Sequence, residues 1–293
     1  METIGFVGIG NMGWPIAANL VGAGFDVNVA DASPGRTASF ATEVGGRAAE
    51  SVLDVASGAG MLVTVLPTSG HVVDVIHGLG DALTSATVVV DMSSGDPSVT
   101  QALAAELAAR GITLVDCPVS GGVARAVTAQ LSIMAGGDAD VIERLRPMLE
   151  VIGSSIHHCG PVGAGHAMKA LNNLVSAAGF LVSVEAMLVG RQFGLDPARM
   201  VDVLNASSGM NYSTQQKFAR YVLSRTFDSG FSVGLMAKDL GIASGMAHER
   251  GVEAPFTALC AQLWSEAAEA LGPTGDHTEM ARFCEGVAGF EVS

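Results

Sequence analysis

Hydrophobic positions in the first half of the chain gather into short unbroken runs. Ile4–Val7, Val27–Ala30, Met61–Leu66, Val88–Val90 and Ile112–Val115 are such runs, and apolar runs without polar alternation predict strands buried on both faces. Between them Pro15–Val21, Ser98–Ala109 and Asp138–Leu149 are Ala-rich or helically spaced. Strand–helix alternation of this kind predicts a doubly wound parallel sheet covered by helices on both faces. Near Gly160 the pattern changes. The segment CGPVGAG at Cys159–Gly165 marks the change, and helical periodicity alone runs from Val162 to the end. One long helix is predicted from Ala167 to Phe193, ending before Gly194 and Pro197. The expected organisation is an α/β domain over residues 1–162 and an all-α C-terminal domain over 163–293, joined through that helix.

Composition narrows the picture. With 293 residues, 49% of them hydrophobic and 15% charged, the chain has enough apolar surface for a large core and is not a disordered sequence. A formal net charge of −14 argues against nucleic acid or an anionic membrane as partner. A small anionic substrate needs only a local cation and stays open. Ala170–Gly190 is long and apolar enough to resemble a membrane span, but Asn172, Asn173 and Glu185 interrupt it, which predicts a buried helix and no membrane partner. Met1–Gly35 carries no Lys or Arg, so no secretory or transit leader is expected. Cys117, Cys159, Cys260 and Cys284 lack close pair spacing, which predicts a reducing, cytoplasmic compartment. The seven histidines show no ligand spacing, so no metal site is expected; His166 reads as a packed or solvent-exposed residue.

The candidate chemistry begins at Gly8-Ile9-Gly10-Asn11-Met12-Gly13, a G-x-G-x-x-G directly after a predicted strand and before a helix. The first glycine permits a tight turn, the second lets a pyrophosphate approach the backbone, and the third allows close helix–sheet packing. The helix N-terminus then offers amides and a positive dipole end to phosphate. Asp31, at the end of the second strand, is placed to accept the adenosine ribose hydroxyls and to repel a 2′-phosphate. The expected cofactor is therefore NAD, with NADP kept open by Arg36. Later strand ends carry Leu66-Pro67-Thr68, Asp91-Met92-Ser93-Ser94 and Asp116-Cys117-Pro118-Val119-Ser120-Gly121-Gly122. Small hydroxyl and glycine residues there suit either ligand approach or plain turn chemistry.

Lysine is scarce: Lys169, Lys217 and Lys238 are the only three. Lys169 lies within the apolar helix, four residues before Asn173, so both project from one face. An ammonium buried there is costly unless paired or deprotonated, and a lysine of lowered pKa is a competent general acid/base.

At this point four segments together resemble the β-hydroxyacid dehydrogenase family, which includes the 3-hydroxyisobutyrate dehydrogenases. They are GFVGIGNMGWPIAANL (5–20), DCPVSGGVARA (116–126), GAGHAMKALNN (163–173) and GLMAKDL (234–240). The resemblance implies a Rossmann-type first domain and a helical second one, assembled as a homodimer or homotetramer. It implies Lys169 as the catalytic acid/base, with Asn173 and the neighbouring Asn172 orienting the substrate hydroxyl. Ser120, Gly121 and Gly122 would bind the substrate carboxylate. Gly8, Ile9, Gly10, Asn11, Met12, Gly13, Asp31, Leu66, Pro67, Ser94, Phe231 and Lys238 would contact the dinucleotide, and Asp239 would lie near the site.

The implied reaction moves a hydride between NAD(P) and a small 3-hydroxy acid. The same chemistry run backward would make the chain a reductase of a small semialdehyde of the tartronate or succinic type. A catalytically idle dinucleotide-binding scaffold is the alternative from another class. Ser94 stands where Thr is usual, and Arg125 and Gln130 depart from the small residues common beyond the SGG turn. Arg125 is therefore either an exposed helix residue or an anchor for a second anionic group on the substrate.

Overall fold

The computed structural model describes residues 3–293. They separate into two compact units, one ending at Lys169 and the other running Ala170–Ser293. The division falls inside the long helix, Ala164–Phe193, which starts one turn earlier than the periodicity alone predicts.

The first unit is built on nine strands: β1 (Thr3–Val7), β2 (Asp26–Ala30), β3 (Arg47–Ala48), β4 (Ala59–Thr64), β5 (Val88–Asp91), β6 (Thr113–Asp116), β7 (Val119–Ser120), β8 (Leu131–Gly136) and β9 (Gly153–Gly160). Their order is β3-β2-β1-β4-β5-β6-β8-β7, with β9 also on β8. The strands from β3 to β6 are all parallel. Successive residues of these strands serve opposite faces. Val90 and Val115 pack with Phe6, Ile16, Leu20 and Leu145 on one side, while Val89 and Leu114 pack with Ile76, Leu103 and Leu107 on the other. Two covered faces explain why these strands lack polar alternation. Chain order reverses beside β1, between β2 and β4, and the carboxyl ends at such a switch point are where open α/β sheets bind ligands.

The expected doubly wound parallel sheet is mixed at its far edge. β8 runs antiparallel to both β6 and β7 and parallel to β9. The β6–β8 join is one bridge pair, Asp116 with Gly136. Between β6 and β8 the chain passes through β7, which pairs antiparallel with β8, and the short helix Gly122–Val127.

The second unit is helical. Four α-helices, Pro197–Asn205, Val233–Glu249, Pro255–Leu271 and Met280–Ala288, pack with the later turns of the long helix. Phe180, Phe218 and Trp264 are fully buried at its centre, with ring centroids 5.4 and 6.2 Å from Phe180. Thr214–Val222 is a π-helix, closed by the amide of Leu223 donating to the Phe218 carbonyl five residues back. Nothing in the hydrophobic pattern predicts that wider winding. By length and composition the long helix would also cross a membrane, yet half of its most apolar stretch is buried in the fold.

Candidate active site

The glycine turn follows β1 as its residues require. Gly8 has φ +95°, and a Cβ there would sit 2.3 Å from the Val65 carbonyl oxygen. At Gly13 a Cβ would meet the Gly8 carbonyl oxygen at 1.9 Å, so only glycine lets the helix Gly13–Gly22 start this close to the turn. Gly10 is different. A Cβ there would have only the Arg36 Nη1 within 4 Å, at 3.8 Å, so its face is open to an approaching group. Side chains cap the helices that begin at Val52, Ser69, Pro97 and Ala139, but no side chain among the described residues caps Gly13–Gly22, and its first turn carries no acid. An uncapped N-terminus with an open glycine before it fits a dinucleotide pyrophosphate.

Asp31 closes the other side of the turn. Its Oδ2 accepts the Ile9 amide at 3.0 Å and its Oδ1 the Ser33 amide at 2.9 Å. The carboxylate is thereby fixed at the end of β2, half-exposed, with lone pairs remaining for hydroxyl donors. Arg36 lies over the turn and donates to the Ile9 carbonyl at 3.4 Å.

Further strand ends divide between support and open positions. The Ser93 Oγ accepts the Leu66 amide at 2.9 Å, joining the β4 and β5 ends. Thr68 caps the next helix, accepting the His71 amide and bonding the His71 ring at 2.7 Å. Both hydroxyls therefore act in turn chemistry. Leu66, Pro67 and Ser94 stay at least partly exposed beside them. After β6, the turn Ser120-Gly121-Gly122 has φ +135° at Gly121 and +70° at Gly122. Two successive glycines of positive φ form a backbone concavity that suits an anion. A Cβ on Gly122 would meet nothing within 4 Å, whereas one on Gly121 would strike the Arg125 stem at 2.8 Å. Arg125 is exposed, with its methylenes laid against the turn.

The long helix is bolted to the same strand ends. Asp116, at the end of β6 and fully buried, accepts the Gly163 amide at 2.6 Å and the His166 amide at 2.8 Å on its two carboxylate oxygens. Burial pushes its carboxyl above the usual range, opposed by His166 and by those two amides. His166 is fully buried, as a packed residue rather than an exposed one. Lys169 follows one turn on and is only 8% exposed.

In the helical unit Asn173 is buried and donates to the Asp239 Oδ2 at 2.6 Å. The neighbouring Asn172 donates to the Asn173 Oδ1. The Asp239 Oδ1 in turn holds the Lys238 Nζ at 3.1 Å. One buried carboxylate thus orients an amide and an ammonium. Phe231 is partly buried and meets the His277 ring edge-on, centroids 5.7 Å apart. Sequence reasoning placed Asp116 at a strand end and read His166 as packed or exposed, but did not foresee the bonds between them. Their bonds span some fifty positions of the chain, so no local spacing signals them.

A glycine turn at the switch point, an anion-shaped turn on the same sheet and a buried lysine on a pinned helix define a dinucleotide-dependent oxidoreductase. Residues 3–160 match the model of the NAD-binding domain of 6-phosphogluconate dehydrogenase, and residues 163–284 match that described as NAD-binding of NADP-dependent 3-hydroxyisobutyrate dehydrogenase. The chain is 37% identical to a 2-(hydroxymethyl)glutarate dehydrogenase of Eubacterium barkeri, covering 99% of this chain and 97% of that one. It is also 37% identical to a 3-hydroxyisobutyrate dehydrogenase of Pseudomonas aeruginosa, over 92% and 93% respectively. The structure of Mycobacterium tuberculosis 3-hydroxyisobutyrate dehydrogenase with L-serine superposes with a TM-score of 0.89 at 32% identity, over 97% of this chain and 99% of that one. The chain belongs to the β-hydroxyacid dehydrogenase family, the NAD(P)-dependent 3-hydroxyacid dehydrogenases.

Proposed function

We propose that the protein interconverts a small 3-hydroxy acid and its semialdehyde using NAD, with Lys169 as general acid/base. The observation that carries this reading is the burial of Lys169 one turn beyond the Asp116 bolt. An amine there is held rather than solvated, as proton transfer to a positioned hydroxyl requires. In the oxidative direction Lys169, as neutral amine, takes the hydroxyl proton, and in reduction it returns that proton. Asn173, oriented by Asp239, holds the hydroxyl. The Ser120-Gly121-Gly122 turn binds the substrate carboxylate through its hydroxyl and amides. NAD(P), when bound, supplies the hydride acceptor or donor. Asp31 favours NAD, since a 2′-phosphate would meet its carboxylate.

One observation favours a particular substrate class. Arg125 is packed along Gly121, beside the carboxylate turn. A guanidinium there suits a second carboxylate, which points to a hydroxymethyl dicarboxylic acid, the class named for the Eubacterium relative.

Association into a homodimer or homotetramer belongs to the same proposal. Met168, Val175, Val182 and Val189 recur every seven residues along the long helix and are all exposed, a seam suited to a second copy of this helix. All four cysteines are free thiols, consistent with a reducing cytoplasm.

The test is a panel of 3-hydroxyisobutyrate, L-serine and 2-(hydroxymethyl)glutarate, and of the semialdehydes, with each nucleotide, read at the reduced-nicotinamide absorbance band. Lys169→Ala is expected to lower kcat on the best substrate by about 10²- to 10⁴-fold while NAD still binds. Near-parental turnover in that variant removes the assigned role, and silence across the whole panel with NAD bound favours an idle scaffold.

A further inference from the structure

Phe231 lies in the loop that leads into the helix Val233–Glu249, and that loop is laced to a second turn, Gly272–Thr278, in the same helical unit. The His277 amide donates to the Phe231 carbonyl at 2.8 Å, the Val233 amide to the Gly275 carbonyl at 2.7 Å and the Gly234 amide to the Pro273 carbonyl at 3.1 Å. Ser232 and Asp276 form an isolated antiparallel bridge between the two. The approach is close because Gly234 has no side chain: a Cβ there would lie 2.6 Å from the Pro273 carbonyl oxygen.

One side chain carries the lacing beyond the backbone. The Asp276 Oδ2 accepts the Gly230 amide at 2.8 Å. The Ser229 hydroxyl donates to the same carboxylate, 2.8 Å from Oδ1 and 3.0 Å from Oδ2. From the opposite turn, Oδ1 also accepts the Thr278 amide at 2.9 Å and the Thr278 hydroxyl. A carboxylate has lone pairs for all of these donors, and hydrogen bonds to a charged acceptor are the strong ones. Gly230 is exposed and has φ +86°, so without Asp276 its amide would face water at a point where the chain swivels easily.

Phe231 is therefore held on both flanks. Before it, the Gly230 amide is fixed by Asp276; after it, the Ser232 Oγ caps the helix by accepting the Leu235 amide at 3.3 Å. The ring packs against the edge of the helical core, edge-on to His277, and is only partly buried. Partial burial constrains a ring less than a closed core does, so the backbone carries more of its placement. Lys238, further along the helix, is held separately by Asp239.

We propose that Asp276 is a positioning residue for dinucleotide binding: by holding the Ser229–Gly230 backbone it sets where Phe231 presents its ring to the cofactor. Its role rests on the dinucleotide contact that the family resemblance implies for Phe231 and is independent of the acid/base reading of Lys169. Both Asp276 oxygens are bonded to the chain itself, so the residue acts through Phe231 and not on the cofactor.

Three measurements on the full-length enzyme test it. In Asp276→Ala, amide hydrogen exchange at residues 230–234 is expected to rise roughly tenfold or more while that of β1 and β4 stays as it is. NAD binding, titrated well below the Tm of the variant, is expected to weaken about tenfold. Should that variant fail to fold, Ser229→Ala, which removes a single hydroxyl, is expected to move both quantities the same way by about threefold. Unchanged exchange overturns the lacing, and faster exchange with parental NAD affinity overturns the positioning role. The third measurement is a double-mutant cycle with Phe231→Ala. In that background the further loss of Asp276 is expected to weaken NAD binding by less than about twofold, and a full second loss of about tenfold overturns action through Phe231. Parental NAD affinity in Phe231→Ala alone overturns the proposal as well, while turnover of Lys169→Ala still decides the acid/base reading by itself.

Discussion

At the strand ends of the first unit the buried polar side chains Thr64, Asp91, Ser93, Thr100, Asp116 and His166 all have identified partners within 3.1 Å. In the helical unit, by contrast, lie all four buried side-chain atoms without a partner among the described residues: Asn205 Oδ1, Ser213 Oγ, Trp264 Nε1 and His277 Nε2. The first arrangement places oxygens and amides to tenths of an ångström and leaves little room for alternatives. Trp264 and His277 of the second sit in an aromatic cluster around Phe180, whose ring has the Lys217 ammonium 5.8 Å and the His277 ring 6.1 Å from its centre. Buried polar groups are partnered within the chain in one unit and lack such partners at four atoms in the other, and a buried hydrogen bond left unmade costs about 1–3 kcal/mol.

Substitutions can break this contrast. The largest effect is expected from Asp116→Ala, which orphans the Gly163 and His166 amides. A loss of roughly 3 kcal/mol or more is expected, read as a lower Tm. A shift of less than about a third of that would mean the bolt is dispensable.

The pH dependence comes next. Burial, and then the nearby charge of Lys217, hold the His277 pKa down at about 3. The unfolded chain therefore binds a proton below about pH 6.5 that the folded chain refuses until about 3, so stability falls as pH drops through that window. The expected slope is up to about 1.4 kcal/mol per pH unit from this residue. His277→Phe, which keeps an aromatic ring beside Phe180, Phe231 and Trp264, should flatten part of the decline in urea midpoints measured from neutral to acid pH. An unaltered slope would assign the acid sensitivity elsewhere.

The finest comparison is between two serines. Ser93→Ala removes the acceptor of the Leu66 amide and should cost about 1 kcal/mol or more, whereas Ser213→Ala removes a hydroxyl that has no partner and should cost less than about 0.5 kcal/mol. Equal losses in thermal melts would erase the distinction between the units.

Much of the architecture was legible in the chain. Unbroken apolar runs marked β1, β2, β4, β5 and β6 to within a few residues because both faces of that sheet are covered. The glycine turn was legible because each glycine answers a local steric demand, and the scarcity of lysine drew attention to Lys169. The strands β8 and β9 were missed. LSIMAG is short and directly follows a helix, while GSSIHHCG is polar and only partly buried, so neither presents a run that stands out. The π-helix depends on how Phe218 and Val222 pack, not on a repeat in the sequence. The contact between Asp116 and His166 was not legible for a different reason. Their partners are brought together by the sheet, and a carboxylate at a strand end reads the same whether it faces a ligand or bolts a helix.

The glycines around the start of the long helix have a consequence for how such enzymes are dissected. Gly95 beside the His166 ring, and Gly136 and Gly165 beside Asp116, contribute no side chain, and a survey of side chains would rank them last. Yet an added methyl at any of them would wedge apart carbonyl, ring and carboxylate. Part of what seats the long helix on the strand ends is therefore vacant volume, and its failure would come from gaining matter rather than losing it.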